Sequence, residues 1–206
     1  MIRLTAVEAA RKYLPRAHWL FLRRAVVHPL RLLSPLPSSP AVGKLVAEHV
    51  GDHKNGLIVE IGGGTGAITR ALLDAGISPD RLVVIEIDDE LSNYLRAALP
   101  GVVVVTGDAR HLANLLPQTW HGQLDTIVFG VPMTVLTLDQ QRELIDASLA
   151  ALAPTGRFLQ YTYSIFSPTR AHRLGLAGRR LGVTYQNFLP ASVWTYWRAA
   201  EKSSAA

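Results

Sequence analysis

The 206-residue chain has no cysteine, which excludes disulfides and any thiolate metal site, and its seven histidines are scattered without ligand spacing, so no metal is expected. It also has no run of about 18 apolar residues, and its N-terminus lacks an uninterrupted signal-peptide core, so the expectation is a cytoplasmic protein. Acidic residues are scarce at both ends. Residues 1–32 carry seven Lys/Arg against one acid, residues 147–206 again seven against one, and the middle, 33–146, seven against fourteen. The net charge of +5 therefore hides an acidic centre between two basic ends, the pattern of a protein whose ends face an anionic partner, either membrane or nucleic acid. The 49% apolar content fits one domain with a substantial core.

What is present begins with Glu60-Ile61-Gly62-Gly63-Gly64-Thr65-Gly66, which joins an apolar strand, Leu57 to Ile61, to a helix. Glycines there let a ligand lie against the main chain, and the helix start supplies unpaired N–H groups. A second apolar run, Leu82-Val83-Val84-Ile85, ends in Glu86, placed to accept both hydroxyls of a ribose. A third, Val102 to Val105, leads into Thr106-Gly107-Asp108-Ala109, where an acid can accept from the amino group of adenine. Gly62, Gly64 and Ala67 also fit a dinucleotide fingerprint. Glu60 argues against that reading, because a carboxylate before the glycines repels a pyrophosphate but suits the ammonium and sulfonium of S-adenosylmethionine. The order of glycines, Glu86 and Asp108 resembles a class I methyltransferase, with S-adenosylmethionine as cofactor, S-adenosylhomocysteine as product, and Glu60, Gly62, Gly64, Thr65, Gly66, Glu86, Asp108, Ala109 and Gly130 as the cofactor-binding set.

Along the chain, strands and helices alternate from Leu57, giving a doubly wound α/β pattern. Ser39 and Pro40 mark the start of a helix running to about Val50, and Thr137 with Gln140 forms a capping box for a helix to about Leu152. Pro154-Thr155-Gly156 is expected to turn into a strand over Arg157 to Tyr163, and the runs Val183 to Leu189 and Val193 to Trp197 are expected to form a terminal hairpin. The reading is thus an α/β fold with a Rossmann-like seven-stranded sheet, a C-terminal antiparallel hairpin and an N-terminal amphipathic helix.

That helix lies within residues 1–32, read as a docking segment ahead of a methyltransferase domain over 33–206. Trp19, Leu22, Val26 and Leu30 follow helical spacing, while Arg16, Arg23 and Arg24 fall largely elsewhere on the wheel and Phe21 adds an aromatic. Such a helix either packs its apolar stripe on its own domain, the commoner outcome, or lies in a membrane interface.

The fourth strand ends in Phe129-Gly130-Val131-Pro132-Met133. Enzymes that methylate the exocyclic amines of bases usually place Asn or Asp, then Pro, then an aromatic here. Gly130 and Met133 supply neither, which makes nucleic acid an unlikely partner. Several segments together resemble the short bacterial phospholipid N-methyltransferases, relatives of the adenine dimethylases: Phe21-Leu22-Arg23-Arg24 with His28-Pro29, Pro37-Ser38-Ser39-Pro40, Glu60 to Thr69, Gly130-Val131-Pro132, Gln160-Tyr161-Thr162-Tyr163 with Ser167-Pro168, and Asn187-Phe188-Leu189-Pro190 with Val193-Trp194-Thr195-Tyr196. The resemblance implies methylation of phosphatidylethanolamine towards phosphatidylcholine, with ornithine lipid and the adenine amine of RNA or DNA as alternative acceptors. It further implies a peripheral protein on the inner face of the cytoplasmic membrane, docked through Arg16, Trp19, Phe21, Arg23 and Arg24, with no obligate protein partner evident.

Two groups of residues are the candidates for the acceptor. Tyr161 and Tyr163 share one face of the fifth strand, where a hydroxyl can orient the amine or shuttle its proton; Tyr163 is the closer match to the family and the first choice. Arg170, His172, Arg173, Arg179 and Arg180 follow that strand with no acid between Asp146 and Glu201, and Arg173, Arg170 and Arg180 are the candidates for a lipid phosphate, Arg173 foremost.

Overall fold

The computed structural model describes residues 40–50, 56–133, 136–186 and 189–199; the N-terminal segment with Arg16, Trp19, Phe21, Arg23 and Arg24 lies outside them. Twelve regular elements follow in order: α1 (Pro40–Ala47), β1 (Leu57–Ile61), α2 (Ala67–Asp74), β2 (Leu82–Glu86), α3 (Asp89–Ala98), β3 (Val103–Thr106), α4 (Leu112–Leu115), β4 (Leu124–Phe129), α5 (Leu138–Ala151), β5 (Leu152–Thr162), β6 (Leu176–Thr184) and β7 (Ala191–Arg198). One seven-stranded sheet has the order β3-β2-β1-β4-β5-β7-β6, parallel from β3 to β5, with β7 antiparallel to both its neighbours.

The central strands read LIVEI, LVVIE and LDTIVF because helices cover both faces, so alternation is not needed. On one side Val42 and Val46 of α1, Ile68 and Leu72 of α2, and Leu95 and Leu99 meet Ile58, Val84 and Val128. On the other, Leu112, Leu144 and Ile145 pack on Val59, Ile127, Phe129 and Phe158. Each such side chain, fully buried, contributes about 1.5–3 kcal/mol. Phe129 stacks on Phe158 at 5.4 Å, and Phe158 meets Tyr196 edge-on at 6.1 Å, which couples the parallel strands to the hairpin.

Local signals set the helix starts. Asp88 caps α3 by accepting from the N–H groups of Glu90 and Leu91, each at 3.0 Å. Thr137 and Gln140 form the reciprocal capping box of α5.

Two boundaries differ from expectation. β5 begins at Leu152 rather than Arg157: Leu124 pairs with Leu152 and Thr126 with Arg157, so the Pro-Thr-Gly stretch is an irregularity inside the strand, not a turn before it. The first hairpin strand runs over Leu176–Thr184, not Val183 to Leu189, and Arg179 and Arg180 therefore lie in a strand instead of a loop. Gly178 and the two arginines disguise it. Gly178 is there because a Cβ would stand 2.4 Å from the Tyr196 ring, and the ladder shifts register between Arg180 and Gly182.

Candidate active site

The carboxyl ends of β2, β1 and β4 are laced into one edge: Gly62 donates its N–H to Ile85 at 2.8 Å, Gly130 donates to Ile61 at 2.8 Å, and Gly107 donates to Glu86 at 3.0 Å. This is the point at which the strand order reverses, where open α/β sheets bind ligands. The glycine turn leaves β1 here. Gly64 has φ +54° and open space where a side chain would project, so its backbone is both left-handed and uncovered. Gly66, at φ +75°, precedes α2 without a side-chain cap, Thr65 is buried, and Arg70 donates to the Thr65 carbonyl.

Two buried carboxyls flank the turn. Glu86 accepts from the N–H of Gly64 at 2.8 Å and from that of Asp88 at 3.0 Å, so its oxygens face the turn; burial raises its pKa and these hydrogen bonds oppose the rise. Glu60 is 2% exposed, accepts from the Thr69 hydroxyl at 2.5 Å through Oε2, and has no partner for Oε1 among the described residues. Burial pushes its carboxyl up to about 8, against the pull of the Thr69 bond. A buried acid with one oxygen unsatisfied is suited to a cation, as the ammonium and sulfonium of S-adenosylmethionine would provide.

Asp108 stands at the end of β3, and Ala109 beside it is buried. The Arg110 guanidinium holds the Asp108 carboxyl below its ordinary value, donating from Nε at 2.9 Å and from the terminal nitrogen at 2.5 Å, and the Arg110 N–H adds a bond at 3.0 Å. Arg110 is a site residue that sequence reading passed over. Ile87, directly after Glu86, is an exposed apolar side chain that sequence reading also passed over.

At the β4 end, a Cβ on Gly130 would lie 2.9 Å from the Tyr161 hydroxyl and 2.9 Å from the Gly62 carbonyl. The Tyr161 hydroxyl thus stands against the Gly130 backbone, where any larger residue at position 130 would meet it. Tyr163 is on the same face, one residue beyond β5, packed with Tyr161 against the α1 side of the sheet. Its buried hydroxyl has no partner among the described residues.

The arginines are dispersed rather than clustered. Arg170 lines a cleft of about 210 Å³ with Leu136, Thr137, Leu138, Gln141 and Pro168, between the loops that follow β4 and β5. Gln141, which is 6% exposed, spends its amide hydrogens on the carbonyls of Met133 and Leu136, and its Oε1 has no partner among the described residues. Arg173 is exposed on the turn Ala171–Leu174, beside α5, where its carbonyl accepts from Arg142 at 3.3 Å, and it does not line the cleft. Arg180 donates to the Ile165 carbonyl at 3.1 Å and lies over the Trp194 ring at 6.0 Å. No group of three or more His, Asp or Glu able to hold a metal occurs among the described residues.

Comparison with known proteins agrees with this geometry. No family model matches the chain. Among solved structures, the TehB-like S-adenosylmethionine-dependent methyltransferase of Corynebacterium glutamicum superposes with a TM-score of 0.53 at 19% identity, over 74% of this chain and 86% of that one. The glycopeptide N-methyltransferase MtfA complexed with S-adenosylmethionine gives 0.50 at 19% identity, over 78% and 66%. The fold is that of the class I S-adenosylmethionine-dependent methyltransferases, and MtfA has been solved in complex with S-adenosylmethionine and with S-adenosylhomocysteine. An ornithine lipid N-methyltransferase of Singulisphaera acidiphila is 34% identical over 148 residues, 70% of this chain and 77% of that one, and this chain belongs to its family of lipid N-methyltransferases.

Proposed function

We propose that the protein methylates the headgroup amine of a membrane lipid at the bilayer surface, with ornithine lipid as the preferred acceptor. The observation that carries the reading is the 34% identity with the ornithine lipid enzyme over most of both chains. Phosphatidylethanolamine is the second reading, favoured by the segments before Pro40 and around Asn187 that resemble phospholipid enzymes. Both lipids pair an amine with an anion, a carboxylate in one and a phosphodiester in the other. Arg170 at the cleft mouth suits either, since a guanidinium binds both through paired hydrogen bonds.

When bound, the cofactor supplies a methyl already activated by its sulfonium. The residues then have to seat it and present a neutral amine in line with it, a matter of positioning. Gly64 and Glu86 hold the ribose side, Asp108 and Ala109 the purine, and Glu60 the cationic amino acid portion. At Gly130 the Tyr161 hydroxyl accepts a hydrogen bond from the incoming amine. The unsatisfied Tyr163 hydroxyl lies on the same face, where it can relay the proton of the amine by accepting it while passing its own on to water, and both rings can face the increasingly methylated cation. We place the enzyme peripherally on the inner face of the cytoplasmic membrane, with residues 1–32 as its anchor.

The test incubates pure protein with donor carrying a labelled methyl and, separately, anionic vesicles containing ornithine lipid, the same vesicles containing phosphatidylethanolamine, and total RNA. Label is expected in ornithine lipid first and phosphatidylethanolamine second. Label confined to RNA, or to phosphatidylethanolamine, overturns the acceptor assignment.

A further inference from the structure

The register of the hairpin places more than packing at the mouth of the site. Because β7 is antiparallel to both neighbours, β6 runs parallel to β5, with Thr162 level with Ser192 and Ser192 with Val183. The chain leaving β5, the chain leaving β6 and the chain entering β7 therefore all emerge at the edge that carries Gly62, Glu86 and Gly130. Large apolar side chains stand in solvent there: Phe166 is 74% exposed, Tyr185 73% and Leu189 50%. A cluster of this kind on one rim marks an interaction surface rather than scattered surface apolarity.

The exposure of Phe166 is built, not incidental. Ser192 Oγ donates to the Ser164 carbonyl, Arg180 donates to the Ile165 carbonyl at 3.1 Å, and the Phe166 N–H donates to Ser164 Oγ at 3.0 Å. Arg180 is itself set on the Trp194 ring, whose Nε1 donates to Ser192 Oγ at 2.8 Å. Three residues of the two hairpin strands thus brace the turn that holds Phe166 outwards. Two exposed arginines belong to this region, Arg180 bonded to the turn itself and Arg170 in the loop that continues from it, and the chain carries no acid between Asp146 and Glu201.

We infer that the rim of Phe166, Tyr185 and Leu189, flanked by Arg170 and Arg180, is a bilayer-docking surface built into the folded domain, additional to residues 1–32, which seats the mouth of the site against anionic lipid. Aromatic side chains enter the headgroup region and the arginines pair with its phosphates, so an acceptor amine reaches Gly130 without leaving the membrane. The partner follows from the reading of a lipid acceptor, but the test below measures contact and not turnover, so the two can fail separately.

The absence of cysteine makes single-site labelling clean. An environment-sensitive fluorophore is attached to Phe166→Cys, Tyr185→Cys, Gln123→Cys and Trp197→Cys in the full chain; Gln123 and Trp197 are exposed towards the opposite edge of the sheet. Each is mixed with vesicles of phosphatidylglycerol and phosphatidylcholine in equal parts, with and without brominated acyl chains. Labels at 166 and 185 are expected to shift to the blue and to be quenched by bromine, those at 123 and 197 to stay in water. Phe166→Ser with Tyr185→Ser should weaken vesicle partitioning about tenfold while leaving cofactor affinity by calorimetry unchanged. The inference is overturned if the protein binds vesicles with the label at 166 still in water, if it binds none, or if sedimentation shows the rim buried between two copies that Phe166→Ser separates.

Discussion

Replacing Glu60 by glutamine tests the site at its most sensitive point. The carboxyl is fully enclosed, and burial pushes it up to about 8, so that at pH 7 the protonated form prevails. Its folded pKa is raised above the ordinary value of 4.5, so its contribution to stability is complete below pH 4.5 and is lost as pH rises towards 8, on the order of 5 kcal/mol across that window. A cation placed at the unpartnered Oε1 reverses the preference and drives the proton off. Binding of S-adenosylmethionine at pH 7 should therefore release a proton from this site, read from calorimetry in buffers of different ionisation enthalpy. Glu60→Gln preserves shape and the acceptor for Thr69, should flatten the stability profile between pH 5 and 8, should release no proton from this site, and should bind the cofactor about tenfold to a hundredfold more weakly for want of the charge. Equal proton release from the variant and the natural protein would refute the placement of the cationic part of the cofactor at Glu60.

Glu86→Ala removes the charged acceptor at Gly64 and should weaken cofactor binding by roughly 1.5–3 kcal/mol per ribose hydrogen bond lost; unchanged affinity in a folded variant, by calorimetry, would remove the ribose role. Tyr163→Phe deletes a buried hydroxyl without a partner among the described residues, so a merely structural residue would give higher thermal stability at full turnover, whereas a proton-handling one gives higher stability with turnover down by about tenfold or more. Tyr161→Phe, which empties the space beside Gly130, should cost at least as much in turnover with cofactor affinity unchanged. Deleting residues 1–28, or changing Arg16, Arg23 and Arg24 to Glu, should reduce sedimentation with anionic vesicles and spare cofactor binding; equal binding to neutral and anionic vesicles would contradict the electrostatic part.

The cofactor half of the site was open to sequence reading because its requirements are local: a glycine turn after an apolar run, then an acid at the end of each of the next two apolar runs, in an order only the parallel sheet explains. The capping box at Thr137 was legible for the same reason. The acceptor half was not. Arg170, Arg173 and Arg180 are neighbours in sequence, yet one lines a cleft, one sits beside α5 and one braces the Ser164–Phe166 turn, because the chain after β5 returns along the sheet before β6 begins. The start of β6 at Leu176 was hidden by Gly178 and a pair of arginines, which carry no strand signal alone and make sense only opposite Tyr196 and Ile165. Alternation puts Tyr161 and Tyr163 on one face and resemblance put Tyr163 first, but that Tyr161 is the one beside Gly130, while the Tyr163 hydroxyl is buried without a partner among the described residues, is visible only in the fold. Thr69 and Arg110, partners of Glu60 and Asp108, lie on a helix and a short turn with nothing in their own sequence to mark them.

The most direct test of lipid N-methylation is mass spectrometry of the total lipids of a bacterium that makes both ornithine lipid and phosphatidylethanolamine, with the full chain or its Glu86→Ala variant supplied on a plasmid. The full chain should add one or more methyl increments to the ornithine lipid headgroup, with a smaller series on phosphatidylethanolamine, and the variant should add few or none. Unmodified lipids from cells that contain the folded protein would contradict the account.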